Sequence, residues 1–212
     1  MQSSHRMEKA LPGIVSSPGG RDDAQLVKAS QQGEQDAFAL LVQRHQRRVF
    51  NLGYRMLQDY EEASEISQEA FLAAWRGLPS FRGEALFSTW LYRITYHCCL
   101  RQLERRKREK ALQAAVQEEK MLEGMNKEKQ AEDIIERHDW QTVVREHLEK
   151  LPARYRIVLI LRHLQDMTYE EMADILTMPI GTIKTHLFRA RNLLKERLLT
   201  QQLAGPEPRE LS

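Results

Sequence analysis

Hydrophobic positions recur along this chain at intervals of three and four residues, the spacing of one face of an α-helix. Phe38, Leu41, Val42, His45, Val49, Leu52 and Met56 form the first long series, after Gly33 breaks the helical pattern begun by "RDDAQLVKAS". Asp36 stands where that helix expects an N-cap. A second series, Ala63, Ile66, Ala70, Phe71 and Ala74, follows Asp59, whose carboxylate can cap it with Glu62 three residues on. "GLPSFRGEA" (77–85) reads as a loop, and a third helix runs from about Phe87 with Leu91, Ile94 and Cys98 on its apolar arc. Further along, Thr168 and Glu171 predict a capping box opening the short helix "YEEMADIL". Pro179 suits the first turn of the longer helix that follows, where its missing N–H costs nothing.

No alternating β-branched run is long enough to make a strand, so the expected class is all-α. Residues 1–20 end in Ser, Pro and Gly and read as a disordered leader. Residues 21–104 form one helical domain and 105–137 a charged, partly helical linker without aromatics. Residues 138–200 form a second domain, and 201–212 a tail. Short helix, tight turn and longer helix make the second domain a helix-turn-helix.

Charge changes the picture more than composition does. The 212 residues carry a net charge of only +2, but in blocks. "DYEEASEISQEA" (59–70) holds five acids and no base; "RQLERRKREK" (101–110) holds six bases and two acids. Two blocks of opposite sign are either solvated faces or surfaces for two different partners. The two cysteines, Cys98 and Cys99, are adjacent on a helix, which disfavours a structural disulfide. No CxxC, HExxH, phosphate-cradling glycine loop or nucleophile elbow is present, and no apolar run nears the ~20 residues of a membrane span. The expectation is a reduced, cytoplasmic protein that is not an enzyme and takes no cofactor or metal, with no direct membrane insertion.

On the last helix, Ile183, Leu187, Ala190 and Leu194 share one side, while Lys184, Thr185, Phe188, Arg189 and Asn192 share the other. A phenylalanine among charges is either covered by another part of the protein or used against a ligand. Duplex DNA fits, because an apolar ring packs on a thymine methyl while Lys or Arg reads guanine or grips phosphate. On the second helix of the first domain, Glu61, Glu62, Glu65, Gln68, Glu69 and Leu72 share an arc that is either solvated or a dock for a basic partner. Trp90, Arg93, His97 and Arg101 form a stripe suited to a single strand, where bases stack on rings and cations hold the backbone. Trp90 reads more readily as core than as contact.

"LPARYRIVLILRHLQDMTYEEMADILTMPIGTIKTHLFRARNLLKERL" resembles, without a gap, the promoter-reading C-terminal domain of bacterial sigma factors of the extracytoplasmic-function group. "DAFALLVQRHQRRVFNLGYRMLQDYEEASEISQEAFLAAWRGLPSFRGEALFSTWLYRI" is similar to the second conserved region of the same group. The resemblance implies that Lys184, Thr185, Phe188 and Arg189 read the −35 element, with Thr182, His186 and Arg191 on phosphates. It implies that Glu62, Glu65, Gln68, Glu69 and Leu72 dock on the clamp coiled coil of the polymerase β′ subunit, and that the C-terminal domain meets the β flap. Arg82, Glu84, Ala85, Leu86 and Phe87 match the loop that captures the −10 strand, beside the stripe of Trp90, Arg93, His97 and Arg101. Many members carry Asn where this chain has His97, so no −10 sequence preference carries over. The third conserved region of larger sigma factors is missing, and the charged tether takes its place.

The expected function is therefore to direct core RNA polymerase to promoters, reading −35 as duplex and capturing −10 as a melted strand. An anti-sigma factor is a further partner that the resemblance implies. The competing reading is a two-domain helix-turn-helix regulator that binds duplex DNA without docking on polymerase.

Overall fold

The computed structural model describes residues 21–122 and 140–203. The expected leader, the later part of the linker and the end of the tail lie outside them. Helices α1 (Asp23–Gln31), α2 (Gln35–Leu57), α3 (Tyr60–Gly77) and α4 (Phe87–Leu122) build the first unit. Helices α5 (Trp140–Glu149), α6 (Ala153–Leu164), α7 (Tyr169–Leu176) and α8 (Ile180–Leu203) build the second, and no strand occurs among the described residues.

Each helix starts for a local reason. Asp22 caps α1 in a reciprocal box with Gln25, and Thr168 does the same for α7 with Glu171. Asp59 accepts from the Glu62 N–H at 2.9 Å, but the Glu62 side chain turns to Arg106 instead of completing a box. The expected cap at Asp36 is a correction. Gly33, at φ +96°, turns the chain so that Glu34 becomes the N-cap and Asp36 falls in the first turn. There its charge still opposes the positive end of the helix dipole.

Helix α2 is the spine of the first unit and buries Ala37, Leu41, His45, Val49, Leu52 and Met56 along one stripe. Two residues, Gln58 and Asp59, separate it from α3, which makes the two antiparallel neighbours. All four terminal carbonyls of α2 are satisfied. Gln58, at φ +57°, donates its backbone N–H to Tyr54 at 2.7 Å and its side-chain amide to Arg55 at 2.9 Å. Arg106 of α4 donates to Leu57 at 2.9 Å, and Arg156 of α6 donates to Met56. Two guanidinium groups thus sit at the negative end of the α2 dipole. Arg106 also bonds Glu62 at 2.6 Å, so the basic block on α4 is partly a clamp on α2 and α3 rather than a wholly solvated face.

Helix α6 is buried almost all round from Tyr155 to Leu161, as expected of an element packed on several sides. It lies under α8, with α7 alongside and α2 beyond. Leu26, Leu41, Leu52 and Met56 of the first unit and Ile157, Ile160, Leu161 and Met172 of the second belong to one continuous apolar core.

Candidate nucleic-acid interface and docking face

The turn between α7 and α8 is set by Thr177, in the left-handed region at φ +54°, and by Pro179 directly before α8, whose carbonyl accepts from Thr182 and Ile183. Ile183, Leu187 and Ala190 are then fully buried against α6 and α7. That roll of the helix sends Lys184, Thr185, Phe188, Arg189 and Arg191 to the surface, with Thr182 and His186 half-buried at its margin. Phe188 is 65% exposed, so among the described residues nothing covers most of the ring.

Beneath this row lies a layer that sequence reasoning missed. The buried ring of Tyr155 on α6 meets His186 edge-on at 5.5 Å and carries the Arg154 guanidinium at 4.9 Å. A hydrogen bond from Arg189 holds the Tyr155 hydroxyl below its ordinary pKa. Tyr169 carries Arg162 on its ring at 5.2 Å and Lys184 at 5.4 Å. Burial first, then Arg154 and Arg189, keeps His186 below the usual imidazole range; burial, Arg191 and Arg162 do the same to His163. Both are therefore mostly neutral near pH 7, and the positive potential of this face comes from its arginines and Lys184. The only sequence signal was the bases and tyrosine at the ends of "ARYRIVLILRHL", which periodicity assigns to core.

On α3, Glu65, Gln68, Glu69 and Leu72 lie together and exposed, with Leu72 at 55%. Glu62 does not join them, because it is tied inward to Arg106. Trp75 extends the strip at its far end, packed on Phe38 at 4.8 Å. The result is an acidic ridge ending in an exposed apolar side chain.

The loop before α4 exposes Arg82, Glu84 and Leu86, with Ala85 half-buried. Phe87 is buried against His45, Phe81 and Trp90, so it supports the loop from below. Trp90 is half-buried on Phe81 at 4.8 Å and lies close over Gly77, where even a Cβ would meet the indole at 3.1 Å. His97 and Arg101 are exposed, while Arg93 is bonded to the Asp174 carbonyl of α7. Arg101 also reaches Glu69 at 2.5 Å and the Cys98 sulfur at 3.2 Å. Both cysteines are buried free thiols, with Cys98 raised by burial and Cys99 pushed up to about 12 by burial and by Cys98 beside it. Such thiols are poor nucleophiles at neutral pH. Among the described residues no group of His, Cys, Asp and Glu could hold a metal, and no helix is long and apolar enough to cross a membrane.

A basic helix-turn-helix joined to a helical unit with an acidic ridge defines a two-unit transcription protein that binds DNA. Residues 41–109 match the model of Sigma-70 region 2, and residues 142–194 that of Sigma-70 region 4. The chain is 33% identical to the RNA polymerase sigma-H factor of Pseudomonas aeruginosa over 83% of its length and 93% of that protein. It is also 33% identical to the ECF RNA polymerase sigma factor SigW of Bacillus subtilis, over 81% of this chain and 94% of that one. Among solved structures, CnrH in complex with the cytosolic domain of CnrY superposes with TM-score 0.61 at 25% identity, over 84% of this chain and 97% of that one. RpoE of Bartonella quintana, in complex with the anti-sigma factor NepR, superposes with TM-score 0.56 at 26% identity, over 76% and 96%. The chain belongs to the sigma-70 family, in its extracytoplasmic-function group. It is a promoter-specificity subunit whose partners are core RNA polymerase and promoter DNA. The reading as a free-standing regulator is set aside, because the first unit is sigma region 2 rather than an unrelated helical domain.

Proposed function

We propose a division of labour in which α3 docks on polymerase, α8 reads −35, and the loop before α4 with its following stripe holds the melted −10 strand. The observation that carries the −35 assignment is Phe188, exposed between Lys184, Thr185 and Arg189 on the outer side of a helix whose other side is core. Thr182, His186 and Arg191 flank that row and serve phosphates. Glu65, Gln68, Glu69 and Leu72 form the docking ridge, where acids steer a basic coiled coil and Leu72 anchors it. Glu62 acts from behind, by fixing Arg106.

At −10, Arg82, Glu84, Ala85 and Leu86 face the strand, Phe87 and Trp90 hold the loop in shape, and His97 and Arg101 take the backbone. The protein works in the cytoplasm and leaves phosphoryl transfer to the polymerase. An anti-sigma factor is a further partner, supported by the similarity to RpoE, which was solved in complex with one. Promoter-specific transcription by purified core enzyme with and without this chain tests the scheme. Substitutions at Glu65 and Glu69 should abolish core binding, whereas those at Lys184 and Arg189 should spare it and abolish −35 recognition.

A further inference from the structure

Helix α1 precedes the residues that match Sigma-70 region 2, yet it reaches the loop assigned to the −10 strand at both of its ends. At the entry, the side-chain amide of Gln31, the last residue of α1, donates to the Leu78 carbonyl and to the Phe81 carbonyl, each at 2.9 Å. A primary amide has two N–H groups to give, and both are used here. The two carbonyls bracket the short turn Leu78–Ser80, which the Phe81 N–H closes on the Leu78 oxygen at 3.0 Å. Val27, one turn earlier on the same side of α1, is buried, and this fixes the direction in which Gln31 points. At the exit, Asp23 of α1 bonds His45 at 2.6 Å, and the His45 ring meets Phe87 edge-on at 5.5 Å.

Between these ends the loop is loosely held. Among the described residues, no other side chain from a helix hydrogen-bonds to residues 78–86. The Arg82–Glu84 ion pair is local and long, at 4.0 Å, and Gly83, at φ +72°, has open space around it. The ring of Phe81 lies on Trp90 at 4.8 Å and on Phe87 at 6.2 Å. A shift of the Phe81 backbone would therefore move the aromatic floor beneath Arg82, Glu84 and Leu86. We propose that Gln31 is a positioning residue for strand capture: its amide fixes the turn Leu78–Ser80, so that residues 82–86 meet the melted −10 strand already in their binding shape. This rests on the −10 reading of the loop. A loop freed to take other shapes binds more weakly by the fraction that stays competent, and it discriminates less between bases.

Holoenzyme is reconstituted with wild type, with Gln31→Met, which keeps the length and removes the donors, and with Gln31→Lys, whose ammonium restores donors one bond further out. Gln31 is exposed, so neither change opens a cavity in the core. Binding to a fork-junction promoter with a single-stranded −10 segment, cognate or base-substituted, is read beside core affinity, −35 duplex affinity and melting temperature. Gln31→Met should bind the cognate fork about tenfold more weakly, with less discrimination between forks. Gln31→Lys should recover the discrimination, which added charge alone would not do, and core and −35 affinity should be unchanged in both. Wild-type fork binding and discrimination in Gln31→Met would overturn the proposal. So would parallel losses in core binding and melting temperature that Gln31→Lys does not repair, since these belong to a residue that only holds the fold. In a further arm, Arg82→Ala/Leu86→Ala, unaltered fork binding overturns the −10 reading of the loop and the proposal with it. Impaired binding there beside an unaffected Gln31→Met overturns the positioning alone.

Discussion

Replacing Phe188 by alanine separates a DNA anchor from a core residue more cleanly than any other single change. A phenylalanine side chain offers roughly 200 Å² of surface, and at 65% exposure about 130 Å² of that remains open in the free protein. Its removal should therefore cost folding no more than about 0.5 kcal/mol, as at other surface positions. Against a thymine methyl and the groove wall, about half that open area is covered; at about 25 cal/mol per Å² this is worth about 1.5 kcal/mol. Affinity for a cognate −35 duplex should fall roughly tenfold, with less discrimination at the base beneath the ring. Fluorescence anisotropy with cognate and substituted duplexes measures affinity and discrimination, and thermal melting measures the folding cost. Destabilisation by more than about 2 kcal/mol would refute the reasoning by showing a core ring. Unchanged affinity and discrimination would refute it by showing a ring that never meets DNA.

Other outcomes follow from the same geometry. Charge reversal, Glu65→Lys with Glu69→Lys, should abolish binding to core polymerase in a pull-down while leaving the melting temperature within a few degrees, since both side chains are exposed. Thr168→Ala removes one half of the α7 capping box and should cost about 1 kcal/mol in urea unfolding. Cys99 keeps its proton in the folded chain until about pH 12, whereas the unfolded thiol loses it near its ordinary value. The stabilising contribution is whole below that ordinary value and is lost as pH rises towards 12. Cys99→Ala should flatten this alkaline loss in denaturation midpoints, and maleimide labelling of native wild type at pH 7.5 should be slow. Asp23 is held below the usual carboxylate range chiefly by its hydrogen bond with His45, at 2.6 Å. Its contribution is present above the unfolded carboxylate pKa and lost as pH falls through the lowered one, so Asp23→Asn should remove part of the acid sensitivity of unfolding.

Much of this molecule was legible in the sequence because helices advertise themselves by period. The buried stripe of α2, the capping box at Thr168 and the outward face of α8 are properties of single helices, and one wheel suffices to see them. What the sequence hid depends on which helices become neighbours. Glu62 and Glu65 share an arc, yet only α4 passing beside α3 gives Glu62 a partner in Arg106. Phe87 sits in a motif read as a surface loop, but His45 and Phe81 close around it. The cap shifted from Asp36 to Glu34 because Gly33 fixed the turn two residues earlier than the side-chain chemistry suggested. Arg156 carries no sequence signal of its own, and its burial is explained by the carbonyl it meets at the end of α2.

The central claim is that one chain supplies both the dock on polymerase and the promoter reading. Runoff transcription from a cognate promoter by purified core RNA polymerase tests it most directly, with wild type, the Glu65/Glu69 reversal and Phe188→Ala side by side. Wild type should give promoter-specific transcripts, the reversal none, and Phe188→Ala reduced and less selective initiation. Initiation by wild type no more specific than core alone, or full activity from the reversal, would contradict it.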